Sequence, residues 1–134
     1  ALVVDPAQGM PPADVSYLIV QSEWYTSQVK GNTLTGDYNK ALAATPDELV
    51  FNGEADQYKD HPLQARVGQR VRIYVVDAGP NLASSFHVIG GMFDAVYPDG
   101  DPAHALRGVS TYSVTPGGGV VFDIVFRQAG KYPF

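Results

Sequence analysis

Residues 70–77 have the sequence RVRIYVVD. Apolar side chains occupy every second position, with positions of mixed character between them: Val71, Ile73 and Val75 alternate with Arg72, Tyr74 and Val76. A period of two is typical of a β-strand that buries one face, because successive side chains of a strand point to opposite sides. The stretch therefore predicts a half-buried strand.

Similar stretches recur on both sides of this strand. Aromatic and β-branched runs at residues 15–25, 49–52, 84–89, 92–97, 109–114 and 120–126 predict further strands, and residues 131–134 predict the start of one more. The turn sequences GG, PDGDP and TPGGG separate the later runs. Short strands joined by such turns predict an all-β protein, an antiparallel β-sandwich or barrel of two sheets.

One short helix is predicted among these strands. Residues 37–44, DYNKALAA, begin with the N-cap candidate Asp37 and end before Thr45 and Pro46. Residues 31–36 are predicted to form a loop. The apolar residues 1–4 predict a short strand that is stopped by Pro6, and residues 5–14 (DPAQGMPPAD) have the composition of a connector between domains.

The composition excludes several classes of function. Nine basic and fourteen acidic residues give a net charge of −5, and like charges form no block. This balance argues against binding to nucleic acid or to an anionic membrane surface. No apolar run approaches the roughly 18 to 20 residues that span a bilayer. The chain has no cysteine, which excludes a blue-copper centre made by this chain alone, since that centre needs a thiolate.

The three histidines give no metal site by their spacing. His61, His87 and His104 form no His-x-His or His-x3-His pair. Asp99 and Asp101 flank a glycine but lack the other ligands of a calcium loop, so a solvated loop that includes His104 is favoured.

His87 has a different setting, within FHVI. If Ser85, His87 and Ile89 share one face of a strand, Phe86 and Val88 take the other. The residues alone favour a structural role for this histidine over a catalytic one. A hydroxyl from the stretch GVSTYSV that fixed the orientation of the ring would favour catalysis.

Five long blocks of the chain occur in this order: YLIVQSEWYT, DYNKALAATPDELVFNG, DHPLQARVGQRVRIYVVDAGPN, SSFHVIGGMFDAVY and TYSVTPGGG. In sequence and order these blocks resemble the second cupredoxin domain of copper-containing nitrite reductases, in the multicopper oxidase superfamily. The resemblance implies a Greek-key, cupredoxin-like fold. It also implies that residues 1–14 are the end of a preceding domain and a linker, and that residues 15–134 are a cupredoxin-like domain cut before its final strand.

The resemblance also implies roles for individual residues. His87 matches the histidine that stands over the catalytic copper and delivers protons to bound nitrite without ligating the metal. Ile89 matches the isoleucine that shapes the substrate pocket. Thr111 matches the threonine whose hydroxyl or carbonyl orients the histidine, with Ser110 and Tyr112 as alternatives one residue away.

The resemblance further implies an enzyme that is larger than this chain. Its copper would be of type 1 and type 2, with ligands outside the segment, so this chain would bind no metal and would be inactive alone. The implied partners are the first cupredoxin domain of the same polypeptide, a homotrimer, nitrite and an electron-donor protein. The implied setting is denitrification in the periplasm or another extracytoplasmic space.

Two other functions are compatible with the sequence. One is a non-catalytic cupredoxin domain of a laccase-like multicopper oxidase, although the His-x-His pairs of those enzymes are not found here. The other is a structural β-sandwich module in which His87 has no catalytic role. Met92 follows the two glycines where one branch of the nitrite reductases has a histidine, so the branch stays open.

Overall fold

Nine strands and two short helices make up the computed structural model, which describes residues 1–134. The strands are β1 (Val15–Trp24), β2 (Thr26–Lys30), β3 (Thr33–Gly36), β4 (Glu48–Phe51), β5 (Arg70–Asp77), β6 (Ser84–His87), β7 (Ala95–Pro98), β8 (Thr111–Val114) and β9 (Gly119–Val125). The helices are α1 (Tyr38–Leu42) and α2 (Gln57–Asp60), and Pro102–His104 form a 3-10 turn.

The strands form one large sheet and two small ones. The large sheet has the order β4-β1-β5-β9-β7, while β2 pairs with β3 and β6 pairs with β8. The all-β prediction is therefore confirmed, with two differences in detail. The strands form three sheets rather than two, and β1 and β5 are parallel while every other pair is antiparallel. A parallel pair needs a long crossover, and the segment that includes β2, β3, α1, β4 and α2 provides it.

The main core lies between the large sheet and the β6–β8 pair. Val71, Ile73 and Val75 are buried in it, as the alternation in β5 predicts. Phe86 of β6 meets Phe122 of β9, with ring centroids 4.9 Å apart. Burial of these apolar side chains is the dominant favourable term in packing the small sheet on the large one. It also fixes which side of β6 faces away from the core.

The opposite face of the large sheet holds a buried ion pair. Arg72, directly across from Asp123 in the β5–β9 register, is 4% exposed, and Asp123 is 0% exposed. The guanidinium donates two hydrogen bonds of 2.8 Å to the carboxylate, and the hydroxyl of Tyr97 donates a third at 3.2 Å. Hydrogen bonding to Asp123 raises the pKa of Arg72. Burial, with the Asp123 charge second, raises the pKa of Tyr97.

The predicted helix is present as α1, but the chain has a second helix that was not predicted. Asp37 is the N-cap of α1, and its carboxylate accepts hydrogen bonds from the backbone N–H groups of Asn39 and Lys40. The four-residue helix α2 was not predicted, and Asp56 at its N-cap makes no side-chain capping bond that the sequence could reveal. Neither helix has the length and apolar character needed to cross a membrane.

Three other segments differ from the predictions. Residues 31–36 are the turn and second strand of the β2–β3 hairpin rather than a loop. The strands of this hairpin are largely exposed, so they lack the alternation on which strand predictions depend. Residues 1–4 form no strand, and Leu2 and Val4 are largely exposed. Residues 131–134 form no strand either, although one backbone hydrogen bond joins them to Ile89 in the turn after β6.

Candidate functional site

Strand β6 presents different chemistry on its two sides. Phe86 and Val88 are buried in the main core. On the other side lie Ser85 and His87, and the exposed Ile89 follows in the turn after the strand; these three residues together are called the histidine face. His87 is half-buried, and Ile89 is 59% exposed. Within β6 this division follows from the period-two geometry of a strand, and it leaves the imidazole partly on the surface of the chain, with the exposed aliphatic side chain of Ile89 two residues later.

The pairing of β6 with β8 brings His87 next to Ser110 and Thr111. His87 and Thr111 are directly opposite each other in the register. The Nδ1 atom of His87 lies 2.6 Å from the backbone carbonyl oxygen of Ser110 and 3.2 Å from the Oγ1 atom of Thr111. The imidazole is therefore oriented at one edge by two oxygen atoms.

These contacts decide which nitrogen of the imidazole carries the proton in the neutral form. A carbonyl oxygen can only accept a hydrogen bond, so the Nδ1 of His87 must donate to Ser110. The Nε2 atom then carries no proton in the neutral ring and is available to accept a hydrogen bond. The Oγ1 atom of Thr111 lies farther away and accepts the weaker of the two hydrogen bonds from the same Nδ1–H group. The arrangement is that of a histidine held in one tautomer with its reactive atom directed away from its support.

The strongest contact comes from a group that the residue pattern did not single out. The sequence drew attention to the hydroxyls of Ser110 and Thr111, whereas the shorter bond is to the main-chain carbonyl of Ser110. A backbone carbonyl has no residue-specific sequence signal. The resemblance allowed a carbonyl contact, with Ser110 as an alternative to Thr111, and the strand register, with His87 opposite Thr111, shows which carbonyl makes it.

The end of the histidine face is fixed by the chain beyond β9. The backbone N–H of Ile89 donates a 2.8 Å hydrogen bond to the carbonyl of Pro133. Phe134 packs against Phe86, with ring centroids 6.0 Å apart. Residues 131–134 thus run beside the segment that follows β6, which restrains the backbone that carries Ile89.

A surface cavity of about 430 Å³ is lined in part by the residues that directly follow Ile89 in the sequence. It is lined by residues 90–94 and 124–128 with Gly108 and Tyr132. Arg127 approaches Asp94 at 3.7 Å at this cavity, and the backbone N–H of Val125 donates to the Asp94 carboxylate at 2.7 Å. His87 and Ile89 do not line this cavity, which is therefore separate from the histidine face.

The other two histidines lie apart from this arrangement. The His104 side chain is 79% exposed, and its Nδ1 lies 2.6 Å from the Asp101 carboxylate. Hydrogen bonds from the backbone N–H of Ala103 and from His104 hold the pKa of Asp101 below its ordinary value. His61 is exposed at the end of α2. No group of three or more His, Cys, Asp or Glu side chains is placed to hold a metal ion.

Comparison with protein families gives a match over most of the chain. Residues 15–132 match the family model described as multicopper oxidase. A copper-containing nitrite reductase from Neisseria meningitidis serogroup A is 38% identical over 134 residues, which covers 98% of this chain and 34% of that protein. The chain thus spans about a third of the length of the curated relatives that it matches.

Solved structures give the same picture. A copper-containing nitrite reductase from Thermus scotoductus SA-01 superposes with a TM-score of 0.79 and 31% sequence identity, over 90% of this chain and 26% of that one. The copper nitrite reductase from Nitrosomonas europaea superposes with a TM-score of 0.77 and 32% identity, over 92% of this chain and 43% of that one.

Proposed function

Because the chain belongs to the multicopper oxidase family, we propose that it is the second, C-terminal cupredoxin-like domain of a copper-containing nitrite reductase. The proposal is supported by the names and identities of the relatives from Neisseria and Thermus. The structural observation that carries it is the orientation of His87 by the Ser110 carbonyl. That contact leaves one nitrogen of an accessible imidazole free for proton transfer.

The proposed reaction needs protons as well as an electron. Reduction of nitrite to nitric oxide consumes one electron and two protons and releases one water molecule. Copper in the whole enzyme would supply the electron and act as a Lewis acid. Within this chain, His87 would hold a proton on Nε2 and deliver it to an oxygen of nitrite, while Nδ1 stays bonded to Ser110.

Thr111 and Ile89 have supporting roles in this proposal. The hydroxyl of Thr111 adds a second contact to Nδ1 of His87, which restricts rotation of the ring. Ile89 follows two residues later, in the turn after β6, and is largely exposed. We propose that its side chain forms an apolar wall of the nitrite site once other segments cover the histidine face.

We propose that the type 1 and type 2 copper ligands of the whole enzyme lie in other segments, in the first cupredoxin domain and in a neighbouring subunit of a homotrimer. The chain has no cysteine to supply the thiolate of a blue-copper centre, which supports this proposal. In that case the isolated chain would be inactive.

The resemblance of the sequence also supports a domain organisation and a setting. We propose that residues 1–14 are the end of a preceding domain and a linker, and that residues 15–134 form the cupredoxin-like domain. The whole enzyme would receive electrons from a donor protein, in denitrification, in the periplasm or another extracytoplasmic space. The acidic balance of the chain supports the absence of a nucleic-acid or membrane partner.

The two alternatives have less support. A laccase-like enzyme would use His-x-His pairs, which are absent from this sequence, and the relatives described above are named as nitrite reductases. A structural module would not require a fixed tautomer at His87, although the fold alone permits such a module.

The test is a pair of histidine variants in the full polypeptide that contains this chain. We expect His87→Ala to retain its copper and to lose at least about 100-fold in nitrite turnover, the usual scale for loss of a proton-transfer group. His104→Ala is the matched control, because His104 is exposed and bonded only to Asp101; its turnover should equal that of the wild type. Copper loss in His87→Ala, measured by metal analysis, or unchanged turnover would contradict the proposal.

A further inference from the structure

A buried carboxylate anchors the two strands that carry His87 and its partners. Asp77, the last residue of β5, is 0% exposed. Its carboxylate accepts hydrogen bonds from two backbone N–H groups, from Gly79 at 2.8 Å and from Ser84 at 3.1 Å. Ser84 is the first residue of β6. The side chain of Asp77 therefore fixes the point at which β6 begins.

The backbone of Asp77 holds the strand that pairs with β6. Its carbonyl accepts from the N–H of Gly117 at 2.7 Å, and its N–H donates to the carbonyl of Gly118 at 3.1 Å. These glycines belong to the turn that directly follows β8, and the N–H of Gly118 also closes that turn on the Thr115 carbonyl at 2.8 Å. One residue thus connects β5 to the start of β6 and to the end of β8.

Close packing strengthens this connection. Gly79 has a φ of +64°, and a Cβ atom there would lie 3.0 Å from the Cβ of Pro116. The turn that begins the connection to β6 therefore rests directly on the turn after β8. Any side chain at position 79 would be strained by its backbone conformation and would push the two turns apart.

The anchor matters because β6 and β8 form only a two-stranded sheet. Such a pair is marginal by itself, and its register depends on what holds its ends. The first register pair, Ser84 with Val114, is next to the anchor, and His87 with Thr111 is the last. Three residues along a strand correspond to roughly 10 Å at about 3.3 Å per residue. A shift at Ser84 would therefore move His87 relative to the Ser110 carbonyl.

We infer that Asp77 is a positioning residue for the His87 imidazole, a role that rests on the proposed function. The carboxylate sets the start of β6 while the backbone of the same residue sets the end of β8. Together they keep Nδ1 of His87 in register with the Ser110 carbonyl and the Thr111 hydroxyl. Asp77 does not touch the reacting atoms, and its effect on the reaction passes through the strand register.

The test replaces Asp77 with asparagine in the full polypeptide. The amide oxygen can accept from only one of the two N–H groups, and its NH₂ group faces the other. We expect faster amide hydrogen exchange in residues 84–89 and 109–114, and a fall in kcat of about tenfold with little change in KM, since misplacement of a reacting group lowers the rate of the chemical step.

Asp123→Asn is the matched control, because Asp123 is equally buried but bonds to side chains on the far face of the sheet. It should destabilise the protein while leaving kcat and exchange in the two segments unchanged at a temperature where it is folded. Ser84→Pro is a second variant, which removes the same N–H at the first residue of a strand, where proline is tolerated. Ser84→Pro should reproduce the effect of Asp77→Asn. The inference can therefore still be tested if Asp77→Asn does not fold.

The outcomes separate this inference from the proposed function. Unchanged exchange at both segments in Asp77→Asn and Ser84→Pro would overturn the positioning role, whatever the turnover. Equal loss of kcat in Asp123→Asn would also overturn it, since the effect would then be general destabilisation. Faster exchange at both segments in a polypeptide whose wild type does not reduce nitrite would support the anchor and refute nitrite reduction.

Discussion

At the scale of single residues, the two contacts of His87 are unequal. The Ser110 carbonyl is 2.6 Å from Nδ1 and the Thr111 hydroxyl is 3.2 Å away. The shorter bond comes from a backbone group, which no side-chain substitution at position 110 removes. The structure thus assigns the main orientation of the imidazole to the strand pairing and a smaller part to the threonine.

This difference predicts a modest effect for Thr111→Val in the full polypeptide. The change removes the hydroxyl and keeps the β-branched shape, and a net hydrogen bond of about 1 kcal/mol corresponds to about a fivefold loss of turnover. Thr111→Ser, which retains a hydroxyl, should stay near the wild-type rate. Steady-state nitrite reduction measures both. A loss in Thr111→Val as large as that in His87→Ala would show instead that the hydroxyl is the main support.

At the scale of elements, a group of charged and polar residues joins α1 to the hairpin. Asp37 caps α1 and accepts a hydrogen bond from the Ser27 hydroxyl of β2. Lys40 of α1 donates at 2.6 Å to the carbonyl of Thr26 and at 2.6 Å to the carboxylate of Asp47. The bond from Ser27, followed by the N–H of Lys40, lowers the pKa of Asp37. The bond from Lys40, followed by the N–H of Thr26, lowers the pKa of Asp47.

These shifts predict acid sensitivity of the α1 region. A carboxylate whose pKa is lower in the folded state adds stability above its unfolded pKa of about 3.9, and that stability is lost as the pH falls through the folded value. We expect the protection factors for hydrogen exchange in residues 26–47, which compare the observed rate with the intrinsic rate at the same pH, to fall below pH 4. Asp37→Asn keeps a capping side chain without a titrating group, so it should reduce this fall, whereas Asp37→Ala should lower the protection factors even at pH 7. Acid sensitivity equal to the wild type in Asp37→Asn would contradict the assignment.

At the scale of the whole molecule, the two faces of the five-stranded sheet bury different kinds of side chain. One face packs aromatic and aliphatic side chains against β6 and β8. The other face buries Arg72 and Asp123 with Tyr97 over them. Because the two charges lie on adjacent strands, their bonds couple β5 to β9 across the centre of the fold.

The ion pair predicts that removing one of its two charges destabilises the protein more than removing both. Arg72→Met leaves the Asp123 carboxylate buried without its bidentate partner, which should cost about 3–5 kcal/mol in the free energy of unfolding. The double variant Arg72→Met/Asp123→Leu removes both charges and should recover a large part of that loss, because an apolar pair in the same volume leaves no unpaired charge. The midpoints of urea unfolding for the two variants and the wild type measure these differences in stability. A double variant no more stable than Arg72→Met would contradict the argument.

The sequence by itself determined the local features of this protein. The alternation in residues 70–77 gave β5 its bounds and its core-facing side, and the spacing around His87 separated Phe86 and Val88 from the histidine face. Asp37 gave the start of α1. The Gly31–Asn32 pair between two short runs could also have predicted the β2–β3 turn, because glycine followed by asparagine is a hairpin signal. Each of these features depends on residues that are close to each other in the sequence.

Only the tertiary structure decided which strands meet. The parallel pairing of β1 with β5, the burial of Arg72 against Asp123 and the bond from His87 to the Ser110 carbonyl all join residues far apart in sequence. A strand pattern specifies which side chains share a face but not the neighbour along its edge, since backbone N–H and C=O groups are the same at nearly every position. The tautomer of His87, and with it the proposed proton transfer, follows from that register.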